Sequence, residues 1–472
     1  MLGALLVAAL LQGGASQSAE VRPNLLFVIA DDLGVDRAGC YGHLRSDGTP
    51  VAPRTPNIDA LAADGVLFRN AWAHPGCSPS RAAALTGRYP HRVGVGRYIP
   101  AAKQGAEGLR TDLLCLPDVL PEAYRSAVIG KWHLGSTRRG ATETGGIDHA
   151  VRCGFERHEG SAGNLGPGAR SYWDWALTRA FADPERKDEL VPLRNTYATT
   201  RTTDDALRAI ADFGEAPWLV WVAYNAPHSP LHRPPNALID PVGADLTTPL
   251  GKGRAMIEAL DSEIGRLLAG IPRETLERTT VVFFGDNGTQ KNIVEPPFDR
   301  TRAKATVYQG GVNVPLIVAG AAVAGEARGA ECAALVDLTD LVPTVGELVG
   351  AGVPSGLDGR SFAPYLEDPA APSQRDWIYA ERFRPNFVPG PDGPPEGMRF
   401  ELHHQTVRGP RLKLVRHRDR APSGELVERL ELFDVVEDFF ERRNLLGPDG
   451  AAPEELAGEY ARLLGLLEAR EL

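Results

Sequence analysis

The chain has 472 residues, of which 43% are apolar and 24% are charged, and its formal net charge is −10. These values are normal for a folded globular protein and leave room for one large and one smaller domain. The acidic balance excludes the basic footprint that is typical of nucleic-acid-binding proteins.

The chain begins with an apolar run from Met1 to Leu11, which small residues follow as far as Ala19. The run is too short to span a bilayer and is typical of a signal peptide, although its start contains no Lys or Arg. The sequence therefore predicts a leader at 1–19 and export to the periplasm or the extracellular space. No other segment is long and apolar enough to be a transmembrane helix.

Continuous apolar runs predict strands that are buried on both faces. They lie at residues 24–30, 123–129, 218–224, 280–284 and 314–318. Helical spacing indicates helices at 57–65, 256–268 and 337–349. This alternation predicts an α/β domain over 20–365, with a large, mostly parallel sheet flanked by helices.

The pattern changes near residue 365, where Pro- and Gly-rich stretches surround short alternating segments. Strands are predicted at 377–382, 401–407, 412–416 and 427–433, and an amphipathic helix at 453–470. We therefore expect a smaller C-terminal α+β domain at 366–472 with a short antiparallel sheet. Residues 136–200 are rich in Gly, Arg and Ser and show little periodicity, so we expect long loops over the sheet there.

Polar residues recur where the predicted strands end, and ligands of open α/β sheets bind at the carboxyl ends of strands. The residues concerned are Asp31, Asp32, Lys131, His133, His228, Asp286 and Asn287. Three carboxylates and one amide oxygen make a hard-oxygen site, which favours Ca²⁺ or Mg²⁺ over zinc. Lys131 and His133 would face the same way in an extended chain, with Trp132 directed into the core.

The strongest signal is the segment Cys77–Arg88, which reads CSPSRAAALTGR. It meets every fixed position of the form C-x-P-S-R-x-x-x-L-T-G-R. The chain thus resembles the type I, formylglycine-dependent sulfatases, which are arylsulfatase-like members of the alkaline phosphatase superfamily. The resemblance covers most of residues 22–365, and further matching segments follow in the family order: 24–34, 55–70, 130–135, 285–288 and 304–315.

The resemblance implies that a formylglycine-generating or sulfatase-maturation enzyme oxidises Cys77 to an aldehyde, formylglycine. One hydroxyl of the hydrated aldehyde would attack sulfur while the alcohol leaves. The other would lose its proton, so that the aldehyde re-forms and sulfate is expelled. The implied function is the hydrolysis of a sulfate ester, for which we favour a sulfated carbohydrate.

The resemblance also implies a role for each site residue. The divalent cation would be held by Asp31, Asp32, Cys77 in its modified form, Asp286 and Asn287.

Arg81 would orient the formylglycine hydrate, and Lys131 and Lys304 would bind the sulfate oxygens. His133 would take the proton of the second hydroxyl, and His228 would bind the ester and protonate the leaving group.

The chain departs from many relatives at two positions, with Gln309 where they have Glu and Asn313 where they have Arg. Relatives often carry a further Ser or His that binds sulfate. Ser161, His149 and His158 remain open candidates for it. Four other histidines lack motif support and are expected to be ordinary residues: His74, His232, His403 and His404.

Two other functions remain as alternatives. The same formylglycine could serve a phosphonate or phosphate monoester hydrolase, or the chain could be a non-catalytic binding protein with this fold. The five cysteines show no C-x-x-C pair and no zinc-like spacing. Their number allows one or two disulfides and leaves at least one cysteine unpaired, with the pairing open.

Overall fold

The computed structural model describes residues 22–99, 108–135, 144–166, 169, 171–240, 245–390, 393–470 and 472. The predicted leader at 1–19 lies outside these residues. None of the helices in the described part of the chain has the length and apolar character needed to cross a membrane.

The centre of the protein is a ten-stranded mixed sheet. In chain order its strands are β1 (Asn24–Ala30), β2 (Gly65–Trp72), β3 (Arg125–Gly130), β4 (Arg157–Gly160), β5 (Trp175–Phe181), β6 (Glu189–Leu193), β7 (Trp218–Ala223), β8 (Thr279–Gly285), β9 (Leu316–Gly320) and β10 (Ala330–Asp337). Their order across the sheet is β10-β2-β9-β8-β1-β7-β3-β4-β5-β6. The central run from β8 to β4 is parallel, whereas β9, β5 and β6 pair in antiparallel fashion.

Helices cover both faces of this sheet, except for the last helix of the chain, which packs against a second sheet. They are α1 (Pro56–Ala63), α2 (Cys77–Thr86), α3 (Pro90–Val93), α4 (His149–Arg152), α5 (Ala198–Phe213), α6 (Pro249–Gly270), α7 (Arg273–Glu277), α8 (Gln309–Val312), α9 (Leu341–Leu348), α10 (Pro364–Glu367) and α11 (Ala457–Glu468). Alternate residues of β1 enter two separate cores, with Phe27 on the side of α2 and α9 and Val28 on the side of α1, α5 and α6. Burial on both faces explains the continuous apolar runs, and the predicted fold class is confirmed.

A second, four-stranded antiparallel sheet follows in the C-terminal region. Its strands lie in chain order and are β11 (Ile378–Arg384), β12 (Leu402–Arg408), β13 (Leu412–Arg420) and β14 (Leu426–Asp434). Helix α11 packs on one face of it through Leu463 and Leu467. The other face contacts the large sheet near Trp72 and the segment before α8 near Tyr308. The predicted domain division at residue 365 stays a prediction.

Two parts of the structure differ from the sequence-based expectations. The segment 136–200 was expected to form long loops, but it contributes β4, β5 and β6 to one edge of the large sheet. The helix expected at 337–349 begins as an α-helix only at Leu341, because Asp337 ends β10 and residues 338–340 form a 3₁₀ turn. Strands β2 and β10 were not predicted.

A buried carboxylate joins the second sheet to the helices of the large domain. The Glu381 carboxylate on β11 accepts a hydrogen bond from His91 Nδ1 at 2.6 Å and another from His403 Nε2 at 3.0 Å. Burial raises the pKa of Glu381, but the two histidines outweigh it and hold that pKa below its ordinary range. Burial lowers the pKa of His91, but Glu381 outweighs it and the His91 pKa lies above its ordinary value.

We expect the stability supplied by His91 to be lost in alkali. A histidine whose pKa is raised by folding contributes fully below its unfolded pKa and loses that contribution as pH rises through the folded value. In His91→Gln, the free energy of unfolding should therefore fall less steeply than in the wild type as pH rises above about 6.5, the ordinary pKa of histidine. Denaturant titrations at each pH measure this slope.

His404→Gln is the matched control above about pH 7.5, because the folded pKa of His404 is lowered to about 4 and the ring is then neutral in the unfolded chain as well. It should keep the wild-type slope. An identical slope in His91→Gln would refute a charged His91 at this interface.

Candidate active site

Cys77 is the first residue of α2, a helix whose residues are all buried. Extended Gly76 precedes it, the run Ala82–Ala84 favours the helix, and Gly87 ends it in the left-handed conformation at φ 64°. The Cys77 side chain therefore lies at the positive end of the helix dipole. Ser78 Oγ donates to the His133 carbonyl at 2.9 Å and accepts from Ile99 N at 3.1 Å, which fixes the first turn against its neighbours.

The four predicted oxygen donors lie side by side because β1 and β8 are parallel neighbours. Ala30 pairs with Gly285, so Asp31 and Asp32 follow one strand where Asp286 and Asn287 follow the other. Asp32 has a φ of 72°, and its backbone N donates to Asp286 Oδ1 at 3.1 Å. Asn287 Nδ2 donates to Asp32 Oδ1 at 2.9 Å.

Two oxygens of this cluster are suited to a cation. Asp31 Oδ1 and Asn287 Oδ1 are buried and accept no hydrogen bond from the described residues. An unsatisfied buried acceptor costs about 1–3 kcal/mol, which a bound metal ion would recover. One ligand atom from each of Asp31, Cys77 and Asp286 also lies within 4.8 Å of the others. The residues present therefore fit a divalent cation with oxygen ligands.

Three basic side chains compensate the three carboxylates. Arg81 donates to Asp286 Oδ2 from Nε at 2.9 Å and from Nη2 at 2.7 Å. Its Nη1 donates to the Lys131 carbonyl at 2.8 Å. Lys131 Nζ contacts Asp31, and Lys304 Nζ contacts Asp32.

These pairs move the carboxylate pKa values in different directions. Burial raises the pKa of Asp31, but Lys131, His228 and Arg81 together outweigh it and the pKa lies below its ordinary value. The pKa of Asp32 is lowered in the same way by Lys304, His228 and Lys131 together. Burial and the neighbouring Asp31 raise the pKa of Asp286 despite Arg81. The three carboxylates and the three basic groups thus balance in charge. Ionisation is opposed most at Asp286, the one carboxylate of the three whose pKa is raised.

The two histidines lie on different sides of Cys77 and the acidic cluster. His133 Nδ1 is 3.2 Å from Cys77 Sγ, and burial together with Lys131 holds the His133 pKa well below its ordinary value. His228 Nε2 is 3.9 Å from Asp32 Oδ2 and 3.4 Å from Asn164 Nδ2, while Nδ1 donates to the Ser229 carbonyl at 2.8 Å. Burial lowers the His228 pKa, with Asp32 acting against it. Neutral imidazoles in both places can accept or pass on a proton.

The site opens towards solvent beside His228 and Lys304. Their side chains are 16% and 19% exposed, whereas those of Lys131 and Arg81 are at most 1% exposed. A substrate would therefore enter past His228 and Lys304 and reach Cys77 at the closed end.

The structure brings all ten predicted site residues into one network of contacts. The expected extended geometry of Lys131 to His133 is wrong, since His133 has a φ of 62°, yet both side chains reach the cluster. Trp132 packs into the core as predicted.

The three open candidates for an extra sulfate ligand have other partners. His149 Nδ1 accepts from Trp132 Nε1 at 2.9 Å, and a ring nitrogen of His158 lies 3.2 Å from the Gly130 carbonyl. Ser161 Oγ donates to the Gly163 carbonyl at 2.8 Å. Asn164, which contacts His228, was missed because nothing in its surrounding sequence marks it.

Gln309, which stands where many relatives have Glu, is held by contacts with the C-terminal region and with Trp72. Gln309 N donates to Glu441 Oε2 at 2.6 Å, and its side-chain oxygen accepts from Trp72 Nε1 at 3.1 Å. Glu441 in turn pairs with buried Lys413 at 2.6 Å. The segment that follows Lys304 is therefore held by residues of the second sheet and the turn after it.

Comparison with known proteins adds independent information. The model of the Sulfatase family matches residues 23–351. The chain is 30% identical to steryl-sulfatase of Mus musculus over 437 residues, covering 76% of this chain and 67% of that protein. It is 29% identical to arylsulfatase A of Homo sapiens, covering 95% of this chain and 88% of that protein.

A solved structure described as a complex with its substrate D-glucosamine-2-N,6-O-disulfate aligns with a TM-score of 0.68 at 20% identity. The alignment covers 95% of this chain and 97% of that one. At this identity the likeness establishes the shared fold.

We expect calcium to stabilise the protein through the unpaired oxygens of the acidic cluster. Adding Ca²⁺ to chelator-treated protein should raise the melting temperature, and Asp31→Asn should abolish most of that rise because a charged ligand is lost. Thermal melts across a calcium series measure both effects.

Asp64→Asn is the control, since Asp64 is an exposed carboxylate paired with Arg328 away from the cluster. It should respond to calcium as the wild type does. An undiminished calcium response in Asp31→Asn would place the ion elsewhere.

Proposed function

The chain belongs to the sulfatase family, and on that premise we propose that it hydrolyses a sulfate ester with Cys77, in its formylglycine form, beside a bound divalent cation. The observation that carries this proposal is the position of Cys77. Its side chain begins a buried helix, contacts His133, and lies within ligand distance of Asp31 and Asp286. Burial raises the pKa of the Cys77 thiol, so the unmodified side chain would be a poor nucleophile, which favours a role for its formylglycine form.

The proposed formylglycine supplies a hydrated aldehyde, whose two hydroxyls provide a nucleophile and a route for releasing sulfate. The partner implied is a formylglycine-generating or sulfatase-maturation enzyme that reads the segment around Cys77. Such a reader acts on an extended chain, since Cys77, Pro79 and Arg81 are all buried after folding. We therefore propose that modification precedes folding, in keeping with export of the protein.

The proposed cation, Ca²⁺ or alternatively Mg²⁺, would be held by residues that the acidic cluster already groups. They are Asp31, Asp32, Asp286 and Asn287, with the modified Cys77. When bound, the ion would add two positive charges to a cluster in which three carboxylates and three basic groups cancel. The resulting positive centre would favour an anionic sulfate ester over a neutral one.

The lysines would bind the sulfate group. The ammonium groups of Lys131 and Lys304 form ion pairs with carboxylates of the cluster, so both border the space in front of Cys77. As compact point charges they suit tetrahedral oxyanions without demanding one orientation. Arg81, held rigidly by Asp286 and the Lys131 carbonyl, would fix the modified side chain of residue 77.

The histidines would move the two protons of the reaction. His133 is in contact with the residue 77 side chain and has a lowered pKa, so it is neutral and able to take a proton there. His228 lies at the open side with its Nε2 facing the cluster, where the leaving alcohol would depart. We assign proton donation to that alcohol to the imidazolium form of His228, because in the neutral ring the proton is on Nδ1, which donates to the Ser229 carbonyl.

For the substrate we propose a sulfated carbohydrate. A structural neighbour is described as binding a sulfated glucosamine, while the similar curated proteins include a steryl-sulfatase and an arylsulfatase. Hydrolysis of a phosphonate or phosphate monoester by the same groups is the alternative chemistry, and a screen of both ester classes separates the two.

We expect mass spectrometry to detect the modification of Cys77. Trypsin releases residues 70–81, which contain no other cysteine. In protein made with a maturation enzyme this peptide should be lighter by about 18 Da than the unmodified form, the change from thiol to aldehyde. The same preparation should hydrolyse sulfate esters, and Cys77→Ala should lower kcat by at least about 10³.

Protein made without a maturation enzyme is the control and should keep the unmodified mass and lack activity. An unmodified peptide from a competent host, together with absence of activity, would favour the non-catalytic alternative. Full activity of Cys77→Ala would refute the proposed nucleophile.

We expect His228→Gln to affect substrates according to their leaving group. Alcohols of carbohydrates need a proton as they depart, so kcat/KM for carbohydrate sulfates should fall by about 10²–10⁴. Activated aryl sulfates leave without help and should lose much less. A substrate panel assayed with both proteins measures the difference.

His232→Gln is a matched control, because that histidine hydrogen-bonds Tyr197 outside the cluster. A uniform loss across the panel in His228→Gln would argue that His228 binds the ester without donating a proton. Wild-type activity confined to aryl or steroid sulfates would overturn the carbohydrate assignment.

A further inference from the structure

Two buried cysteines outside the active site lie in neighbouring segments of one core. Cys115 precedes a 3₁₀ turn at Leu116–Val119, and Cys153 follows α4. The segments touch, because a Cβ added at Gly154 would lie 3.2 Å from Pro117 Cβ and 3.1 Å from Asp118 Oδ1. Both side chains belong to the same apolar core, and the neighbouring Cys115 raises the pKa of the Cys153 thiol.

We propose that Cys115 and Cys153 form a disulfide bond in the exported protein. The two thiols would lose two protons and two electrons. The oxidant is the disulfide of a thiol oxidoreductase, which becomes a dithiol after passing through a mixed disulfide with the chain. Such oxidants act in the periplasm, the endoplasmic reticulum and the extracellular space.

The other three cysteines have different neighbours. Cys77 contacts His133, and the Cys40 backbone N donates to Asp59 Oδ1 at 2.7 Å. Cys332 lies within β10, on the edge strand of the large sheet. Pairing of Cys115 with Cys153 would engage these two neighbouring thiols and leave Cys77 available for its own oxidation.

The timing of the proposed bond follows from burial. Cys115 and Cys153 are 0% and 2% exposed. The neighbouring Cys115 and, as the second cause, burial raise the pKa of the Cys153 thiol well above its ordinary value. A protonated, enclosed thiol reacts slowly with external disulfides. The bond would therefore form while the chain folds and would resist reduction afterwards.

The proposed bond would stabilise the packing of α4 against the turn that contains Lys131 and His133. Cys153 Sγ lies 3.8 Å from His149 Nδ1, which accepts from Trp132 Nε1, and His149 Nε2 donates to the Leu109 carbonyl at 2.8 Å. A Cβ at Gly135 would come within 2.4 Å of the His149 ring. Helix α4 is thus packed against the turn that carries Lys131 and His133, and fixing α4 at Cys153 would limit movement of that turn.

Peptide mapping tests the proposal directly, because each of the five cysteines lies in its own tryptic peptide. Protein collected from an oxidising compartment is denatured in alkylating reagent without reductant and then digested. We expect peptide 111–125 joined to peptide 153–157, with a mass about 2 Da below the sum of the two thiol peptides. Reduction should separate them, while the peptides of Cys40 and Cys332 should be alkylated in either case.

Recovery of 111–125 and 153–157 as separately alkylated peptides would overturn the proposal. The result is independent of the proposed catalytic role of Cys77, since the state of that residue is determined on peptide 70–81 of the same digest.

A stability measurement provides the second test. The double variant Cys115→Ser/Cys153→Ser should melt on the order of 4 °C below the wild type, since a bridge across this loop restricts the unfolded chain. Refolding the wild type with reductant should lower its melting temperature towards that of the variant, which should itself be insensitive to reductant. Cys40→Ser is the control and should keep the response to reductant. Equal loss of stability on reduction in the wild type and the double variant would also refute the bond.

Discussion

Three carboxylates lie side by side at the ends of β1 and β8, and the surrounding structure is arranged to make their burial tolerable. Water is excluded from Asp31, Asp32 and Asp286, so their mutual repulsion is only weakly screened. Each is opposed by a basic group brought from a different part of the chain: Arg81 from α2, Lys131 from the end of β3, and Lys304 from the segment before α8. The positions of α2, of the turn after β3 and of that segment are therefore coupled through this one cluster of charges.

Three of the six non-glycine residues that have a positive φ in the described part of the chain lie at this cluster or beside it. Asp32, His133 and Ala305 have φ values of 72°, 62° and 68°, which cost on the order of 1 kcal/mol or more for residues with a Cβ. Each lies in the site or directly beside a residue of it. Neighbouring hydrogen bonds oppose relaxation: His133 N donates to the Ala162 carbonyl at 3.0 Å, and Ala305 N donates to the Pro75 carbonyl at 2.8 Å. Turning the backbone at these points directs the side chains of the site towards Cys77, which a relaxed extended chain would not do.

The second sheet contributes to the site without supplying a residue to the acidic cluster. Arg382 on β11 contacts the Ala305 carbonyl next to Lys304, and Glu441 holds Gln309 at the start of α8. Here the sequence departs from many relatives, which have Glu and Arg at positions 309 and 313. In this chain the carboxylate comes from residue 441, far along the sequence, and is neutralised by Lys413. Loss of the local pair therefore does not leave the Lys304 segment unsupported.

The sequence predicted those parts of the structure that are determined locally or by a contiguous motif. Strands β1, β7 and β8 are apolar throughout because they are buried on both faces, and α2 is marked by its motif. Strand β4 (Arg157–Gly160) is fully buried as well, but it reads as a polar loop. Its residues are tolerated in the interior because Arg157 donates to Asp212 Oδ2 and the Ala209 carbonyl, partners that are more than 50 positions away in the chain. Burial of polar residues depends on such distant partners, and one sequence does not reveal them. The same reason applies within the site, where the strand ends predicted that the charged residues would meet but not which lysine faces which carboxylate.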